Sequence, residues 1–232
     1  MDFKNKKIYK KIKVKALTIS HVCEVGVYLP YSSNIIDFIN EGIPTTLVEP
    51  DPASIEAINK AFREKKNIKL HTVAVFDYNG TIELSQRNAS TFVSSLSASP
   101  ALVNENYQIN DNEKFTVDCV KFNEIDDGTI DLLSVDTEGC EWYVLKYLTS
   151  RPSVISLETH GKYYTNAFID EIKDWMRMNE YKVWYKDGSD TVFIKNNIFD
   201  LTLGEKLAIH LQNLKIRLIK LKKVFRFLKK KN

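Results

Sequence analysis

Between residues 18 and 158 short apolar runs alternate with stretches of helical spacing, and this alternation limits the possible folds more than any other feature. An apolar run without polar alternation suits a strand covered on both faces, and helices must supply that cover. The runs lie at Thr18–Val27, Thr45–Val48, Ile68–Phe76, Phe115–Val120, Ile130–Val135 and Val154–Leu157. Helices are predicted over Ser32–Glu41 (with Ser32 or Ser33 as cap), Ala53–Lys65, Glu138–Leu148 and Ala167–Met178. Asp77–Gly80 reads as a turn from the third strand into a hairpin partner at Thr81–Leu84, and Tyr181–Tyr185 with Thr191–Ile194 as a closing hairpin. The Ser- and Asn-rich stretch 85–111 lacks a clear period and reads as a long lid or binding loop. The expected fold class is α/β: a doubly wound, mostly parallel, Rossmann-like sheet ending in an antiparallel hairpin.

A chain of 232 residues holds one such domain with room for flanking segments, and three parts are expected: 1–17, 18–199 and 200–232. Charge separates them. Residues 1–15 carry seven lysines against one aspartate, and residues 200–232 carry ten Lys or Arg against two acids. The net charge is only +3, so the body between is strongly acidic. An acidic body repels phosphates and argues against nucleic acid as partner. Basic ends suit an anionic membrane surface or an acidic partner, or, in the plainest reading, water. No run of about 18 apolar residues suggests a spanning helix. Cys23, Cys119 and Cys140 are odd in number and form no C-x-x-C pair, which points to a reducing, cytoplasmic setting.

In a doubly wound sheet, ligands sit beyond the carboxyl ends of the strands. Polar clusters fall there: Glu24 with Gly26, Glu49 with Asp51, Asp136 with Glu138, and Glu158 with His160. Gly26 follows the first strand, where a missing Cβ lets backbone approach a ligand. A full G-x-G-x-x-G is absent, which disfavours a nicotinamide enzyme. Glu49 ends the second strand, where a carboxylate can accept both ribose hydroxyls; its other reading is an acid at the start of the next helix.

The segment Asp131–Glu141 (DLLSVDTEGCE) resembles the signature of the FkbM-type methyltransferase family, a D-x-E-G-x-E motif after a central strand, here Asp136, Glu138, Gly139 and Glu141. Glu24–Val27, Val48–Pro52 and Ala74–Leu84 match further family stretches in the expected order, over roughly residues 18–195. The resemblance implies a class I methyltransferase fold, S-adenosylmethionine as cofactor and O-methylation of sugar hydroxyls. Carried over, Glu24 and Gly26 border the methionine part and Glu49 holds the ribose. Ala74 and Val75 lie near adenine, and Asp136 faces methyl transfer. The family's first loop usually has a second glycine, where this chain has Leu29-Pro30-Tyr31.

A sulfonium methyl is already activated, so the protein must align a hydroxyl with it and remove the hydroxyl proton. The candidate catalytic residues are Asp136, Glu138, Glu158 and His160. His160 is the preferred base because an unperturbed imidazole titrates near neutrality. Alternatively Asp136, Glu138 and Glu158 gather round a divalent cation. Against these stand plainer readings: Glu138 and Glu141 as first-turn helix acids, and His160 as a surface histidine. Thr91–Ser97 and the Tyr163-Tyr164 pair are candidates for the acceptor pocket, whereas Trp142 is assigned to the core.

Leu207, Leu211, Leu214, Leu218, Leu221, Phe225 and Leu228 follow a strict 4-3 spacing. Lys215, Lys222 and Lys229 flank this stripe and disfavour symmetric pairing of two copies. A basic amphipathic helix on anionic lipid is the first expectation, placing the protein on the inner face of the membrane; an acidic coiled-coil partner, or packing on the chain's own body, are the others. The leading function is thus a sugar O-methyltransferase at a membrane, with polysaccharide or glycolipid as acceptor. The alternatives are a methyltransferase on a small natural-product hydroxyl, or a non-catalytic adaptor that recruits a glycosyltransferase through the helix.

Overall fold

The computed structural model describes residues 5–87, 90–96, 98–104 and 107–231, excluding the side chains of 87 and 223–231. In chain order, α1 (Lys7–Val14), β1 (Val22–Val25), α2 (Ile36–Asn40), β2 (Thr45–Val48), α3 (Pro52–Ala61) and β3 (Ile68–His71) come first. An excursion follows through β4 (Ala74–Val75), β5 (Gly80–Arg87), β6 (Ser90–Val93), α4 (Pro100–Asn104) and β7 (Lys114–Val120). The chain then returns through β8 (Leu132–Val135), α5 (Glu141–Lys146), β9 (Val154–Glu158), α6 (Ile169–Met178), β10 (Tyr181–Asp187) and β11 (Asp190–Lys195) to α7 (Leu203–Lys231).

Seven strands form the main sheet in the order β10-β11-β9-β8-β1-β2-β3. The five from β9 to β3 are parallel, and β11 runs antiparallel to both β9 and β10. Every residue of β1, β2, β8 and β9 is buried, as continuous apolar runs require. Alternate side chains divide between two cores. Cys23, Val25, Leu133, Val135, Ile155 and Leu157 pack with Val144, Leu145, Ile172 and Met176 of α5 and α6. On the other face Val22, Leu47, Leu132 and Val154 meet Ile8, Ile12, Phe38, Ile39 and Ile58 of α1, α2 and α3. The result is the doubly wound sheet expected, with its order reversing between β1 and β8.

Three local expectations are corrected. The third apolar run is not one strand: β3 ends at His71, and β4 joins a second sheet of order β4-β7-β5-β6. Ala74 and Val75 are buried against Cys119 and Val120 of β7, so Gly80 begins a strand that pairs with β7 and β6 rather than with its predecessor. The stretch 85–111 is not one loop, because Phe92 and Val93 bury themselves and pair β6 with β5. Finally, Ser33 does not cap the next helix, which begins only at Ile36; its hydroxyl donates to Glu24 instead.

The basic N-terminal segment is no solvated tail. Ile8 and Ile12 of α1 are buried, and the lysines around them reach acids elsewhere in the chain: Lys7 to Asp187, Lys13 to Glu41, and Lys11 and Lys15 to Glu205 of α7. Burial would raise Glu205, but bonds from the Thr202 backbone, the Trp184 indole and Lys15 bring it down to about 2. Glu205, Ile209, Gln212, Ile216 and Ile219 of α7 are partly covered, while Leu207, Leu211, Leu214, Leu218 and Leu221 on the opposite side are about half exposed. Up to Leu221 the leucine stripe therefore does not pack on the body; Phe225, Leu228 and Lys229 lie outside the described side chains. No described helix is long and apolar enough to cross a membrane.

If α1 is part of the folded body, Ile12→Ala should destabilise the protein by about 2–5 kcal/mol in urea denaturation. An unchanged midpoint would mean that α1 leaves the body in solution.

Candidate active site

All the parallel strands aim their carboxyl ends at one rim, where a cleft of about 380 Å³ opens. Its walls include Glu24, Gly26, Glu49, Ala74, Val75, Asp136 and Glu138, so these seven sequence candidates meet in one place. Gly26 makes the meeting possible. Its φ is +82°, and a Cβ there would lie 1.9 Å from the Asp136 carbonyl oxygen. The ends of β1 and β8 are thus in backbone contact, locked by the Asp136 N–H donating to the Val25 carbonyl at 2.9 Å.

Glu49 leaves β2 and reaches across the first turn. One oxygen accepts the Val27 and Tyr28 N–H groups, both at 2.8 Å, and the other accepts the Asp51 N–H at 2.9 Å. A carboxylate offers about four acceptor positions, so room for a ligand hydroxyl remains. Asp51, not Glu49, is the cap of α3, accepting from the Ala53 and Ser54 N–H groups. Its second oxygen takes Gln86 at 2.6 Å and Thr91 at 3.2 Å, which ties the second sheet over the cleft. Leu84, Phe92 and Val93 of that sheet, with Val73, Ala74 and Val75, give this end of the cleft an apolar wall.

The other end is acidic. Glu24, buried in a central strand, accepts from Ser33 and from the Asn34 N–H at 2.8 Å, and burial pushes it up to about 7. The turn after β8 holds Glu138 at φ +55°, where it accepts from Ser90 at 2.9 Å. Glu141 is saturated: one oxygen takes the Thr137 and Gly139 N–H groups at 3.0 and 3.2 Å and the Thr137 hydroxyl, and the other takes Asn166. It is the residue that shapes the turn. Asp136 differs, since its Oδ1 is buried with no hydrogen-bond partner, and Glu158 likewise has an unpartnered Oε2.

Carboxyl oxygens of Asp136, Glu141 and Glu158 lie within 4.8 Å of one another. The expected cation trio named Glu138 where the geometry places Glu141. Crowding is reflected in proton affinity. Burial and the Glu49 charge raise Asp136 to about 6, burial raises Glu141 to about 7, and burial with the charges of Asp136, Glu138 and Glu141 raises Glu158 to about 10. Asp190, at the start of β11 on the cleft wall, is raised to about 7 by burial and the Asp136 charge. The acids are held close enough together that protons offset part of their repulsion.

His160 is elsewhere. Its ring is buried, Nδ1 lies 3.0 Å from the Thr159 hydroxyl, and burial with the charges of Lys186 and Lys220 pushes it down to about 4. It lines a second cavity, which shares Ser189 with the first. An imidazole so depressed is neutral at pH 7 but a weak base. Tyr164 is fully buried and cannot stack on an acceptor, whereas Trp142 packs against the core as expected. The plainer reading of Glu141 as a first-turn helix acid holds, whereas the sequence reading missed the cap at Asp51 and the acid at Asp190. The D-x-E-G-x-E spacing held the signal for Glu141, since its last Glu falls in the first turn of a helix and can reach back to the turn's N–H groups.

The description methyltransferase FkbM domain matches the chain over residues 24–183. A comparison with curated proteins found no match. Solved structures with a similar course include a SAM dependent methyltransferase from Aquifex aeolicus (9% identity, 82% of this chain and 88% of that one, TM-score 0.41). Precorrin-6y C5,15-methyltransferase from Geobacter metallireducens GS-15 shows 10% identity over 84% of this chain and 92% of that one, with a TM-score of 0.40. Aeropyrum pernix fibrillarin, solved with S-adenosyl-L-methionine natively bound, shows 10% identity over 81% and 73%, with a TM-score of 0.41.

The raised acids carry a stability consequence. Between about pH 4 and 10, and most steeply up to about 7, the folded protein binds more protons on these acids than the unfolded chain, so its stability falls as pH rises through that window. The urea midpoint of the ligand-free protein should be lower at pH 8 than at pH 5, by the equivalent of about 2 kcal/mol. A midpoint equal or higher at pH 8 would show that these acids ionise freely.

Proposed function

The chain belongs to the methyltransferase FkbM family and is an S-adenosylmethionine-dependent methyltransferase, and we propose that it methylates a hydroxyl oxygen of a sugar on a polysaccharide or glycolipid. The observation that carries this reading is the buried, unpartnered Asp136 Oδ1 within an acidic cluster at the end of the central strands. The cofactor is a sulfonium cation that supplies an activated methyl group. The residues present fit it. Acids that repel one another accept a positive charge without needing protons, and Glu49 keeps acceptor capacity for ribose hydroxyls. The apolar wall of Ala74, Val75 and Phe92 suits a flat base.

The proton of the acceptor hydroxyl then passes to the Asp136–Glu158 pair. Both carry an oxygen with no other partner, and a bound positive charge lowers their proton affinity toward the neutral range. His160, depressed and on the far side of Ser189, is not the base in this reading. A second reading, a divalent cation on Asp136, Glu141 and Glu158, draws support from the 4.8 Å grouping of their oxygens. In it the ion would lower the pKa of the hydroxyl. Glu141 already spends both oxygens on other donors, which favours the proton-accepting pair.

Asp136→Asn should lower kcat at least 100-fold, with S-adenosylmethionine binding measured separately by calorimetry. Glu49→Ala should weaken that binding about tenfold or more through the lost ribose contacts. Wild-type turnover in the aspartate variant would remove Asp136 from the chemistry, and unchanged affinity in the glutamate variant would remove Glu49 from the cofactor.

The same reading places the protein on the inner face of a membrane through α7. Support comes from the leucine face, half exposed and turned from the body, in a segment of ten basic residues. Replacing Leu211, Leu214 and Leu218 together with serine should abolish sedimentation with vesicles containing phosphatidylserine. Undiminished sedimentation would assign that face to something other than lipid.

A further inference from the structure

The second cavity, about 390 Å³, lies between α7 and the body and is walled by His160, Lys162, Lys186, Ser189, Gln212 and Lys215. We propose that it is the subsite for an anionic group, phosphoryl or carboxylate, carried by the sugar acceptor. This deepens the function proposed above and rests on it for the acceptor's identity, though not for the binding of the anion.

The wall is an unneutralised one. Among the described residues no carboxylate stands within ion-pair distance of Lys162, Lys186 or Lys215, and the nearby acids are engaged elsewhere. Asp187 pairs with Lys7, Asp170 with Lys173, and Glu205 with Lys11 and Lys15. Lys220, on the same face of α7, donates to Thr165 and adds its charge to Lys186 and His160. Lys186 is half buried and held below its ordinary proton affinity by that burial and by the charges of Lys220 and Lys173. Like charges converging on a concavity raise the local potential and attract an anion. Such a gathering is costly to a protein unless something opposite in sign completes it.

The wall is also held in place. Gln212 of α7 bonds both the N–H and the carbonyl of Lys186, at 3.3 and 3.0 Å, pinning helix to strand. Thr159 and His160 both donate their N–H groups to the Ser189 carbonyl, at 3.2 and 3.3 Å. Ser189 faces both cavities, so a ligand anchored by its anion in one has its neighbouring ring directed toward the acidic rim of the other. The two cavities divide the ligands by sign: an acidic one for the sulfonium donor, a basic one for the acceptor.

The test uses the full chain and direct calorimetry, with glucose 1-phosphate, glucuronate, glucose and inorganic phosphate as probes and S-adenosylmethionine titrated separately. Glucose 1-phosphate or glucuronate should bind at least tenfold tighter than glucose, and whichever is tighter identifies the anion. Lys186→Met and Lys215→Met should each weaken that binding tenfold or more, while S-adenosylmethionine affinity and the urea midpoint stay within error of wild type. Lys60→Met, exposed on α3 and away from the cavity, serves as the control and should change binding less than twofold. Equal binding of glucose and its charged relatives overturns the subsite, as does inorganic phosphate binding as tightly as the sugar phosphate. If the anion binds as expected while S-adenosylmethionine does not, the subsite stands and the methyltransferase reading falls.

Discussion

Repulsion between carboxylates that the fold forces together is the constraint on which the rest of this structure turns. Parallel strands deliver whatever ends or follows them to the same edge, and in this chain acids follow or end β2, β8 and β9, with Glu24 one residue before the end of β1. Backbone contact at Gly26 leaves no slack by which the central pair could separate. The protein answers partly with donors, the N–H groups of Val27, Tyr28, Asn34, Thr137 and Gly139. It answers otherwise with protons, which Glu158 above all retains. In the function proposed above, the negative charge left over suits a cationic cofactor.

The acids are therefore not equivalent, and the number of donors each already satisfies tells them apart. Glu141 and Asp51 are fully engaged and organise turns and helix starts. Glu24 steadies the 33–34 segment, and Glu49 is engaged but not exhausted. Asp136 and Glu158 each keep an oxygen with no partner, and such a group buried in a native protein calls for a reason. In the function proposed above, chemistry on a bound substrate is that reason.

Much of the main sheet was legible in the sequence because burial on both faces leaves a signature independent of distant partners. Thr45–Val48 has the predicted bounds, and Leu132–Val135 and Val154–Glu158 differ by two residues or fewer at either end. The second sheet was less legible. Its strands are half covered, its pairing skips from β4 to β7, and no local pattern announces so long a closure. Glu49 and Asp136 could be placed together because strand ends share an edge in any such fold. The basic cavity could not, since Lys162 and Lys186 carry no local signal and Lys215 read as a flank of the leucine stripe until α7 folds back across β10. The amphipathic pattern of α1 was hidden for a similar reason: Ile8 and Ile12 sit among lysines whose partners lie as far away as Asp187 and Glu205.

The two faces of α7 set a length. One face walls the basic cavity, and the opposite one presents the leucines, so the two are separated by the thickness of a single helix, about 10 Å. Anything seated on the leucines is held at that offset from the cavity, and the pinned Gln212 prevents the helix from rolling to alter it. In the function proposed above, with the leucines on a membrane and the acceptor's anion in the cavity, the helix works as a ruler that selects molecules by how far their reactive part stands from the membrane plane.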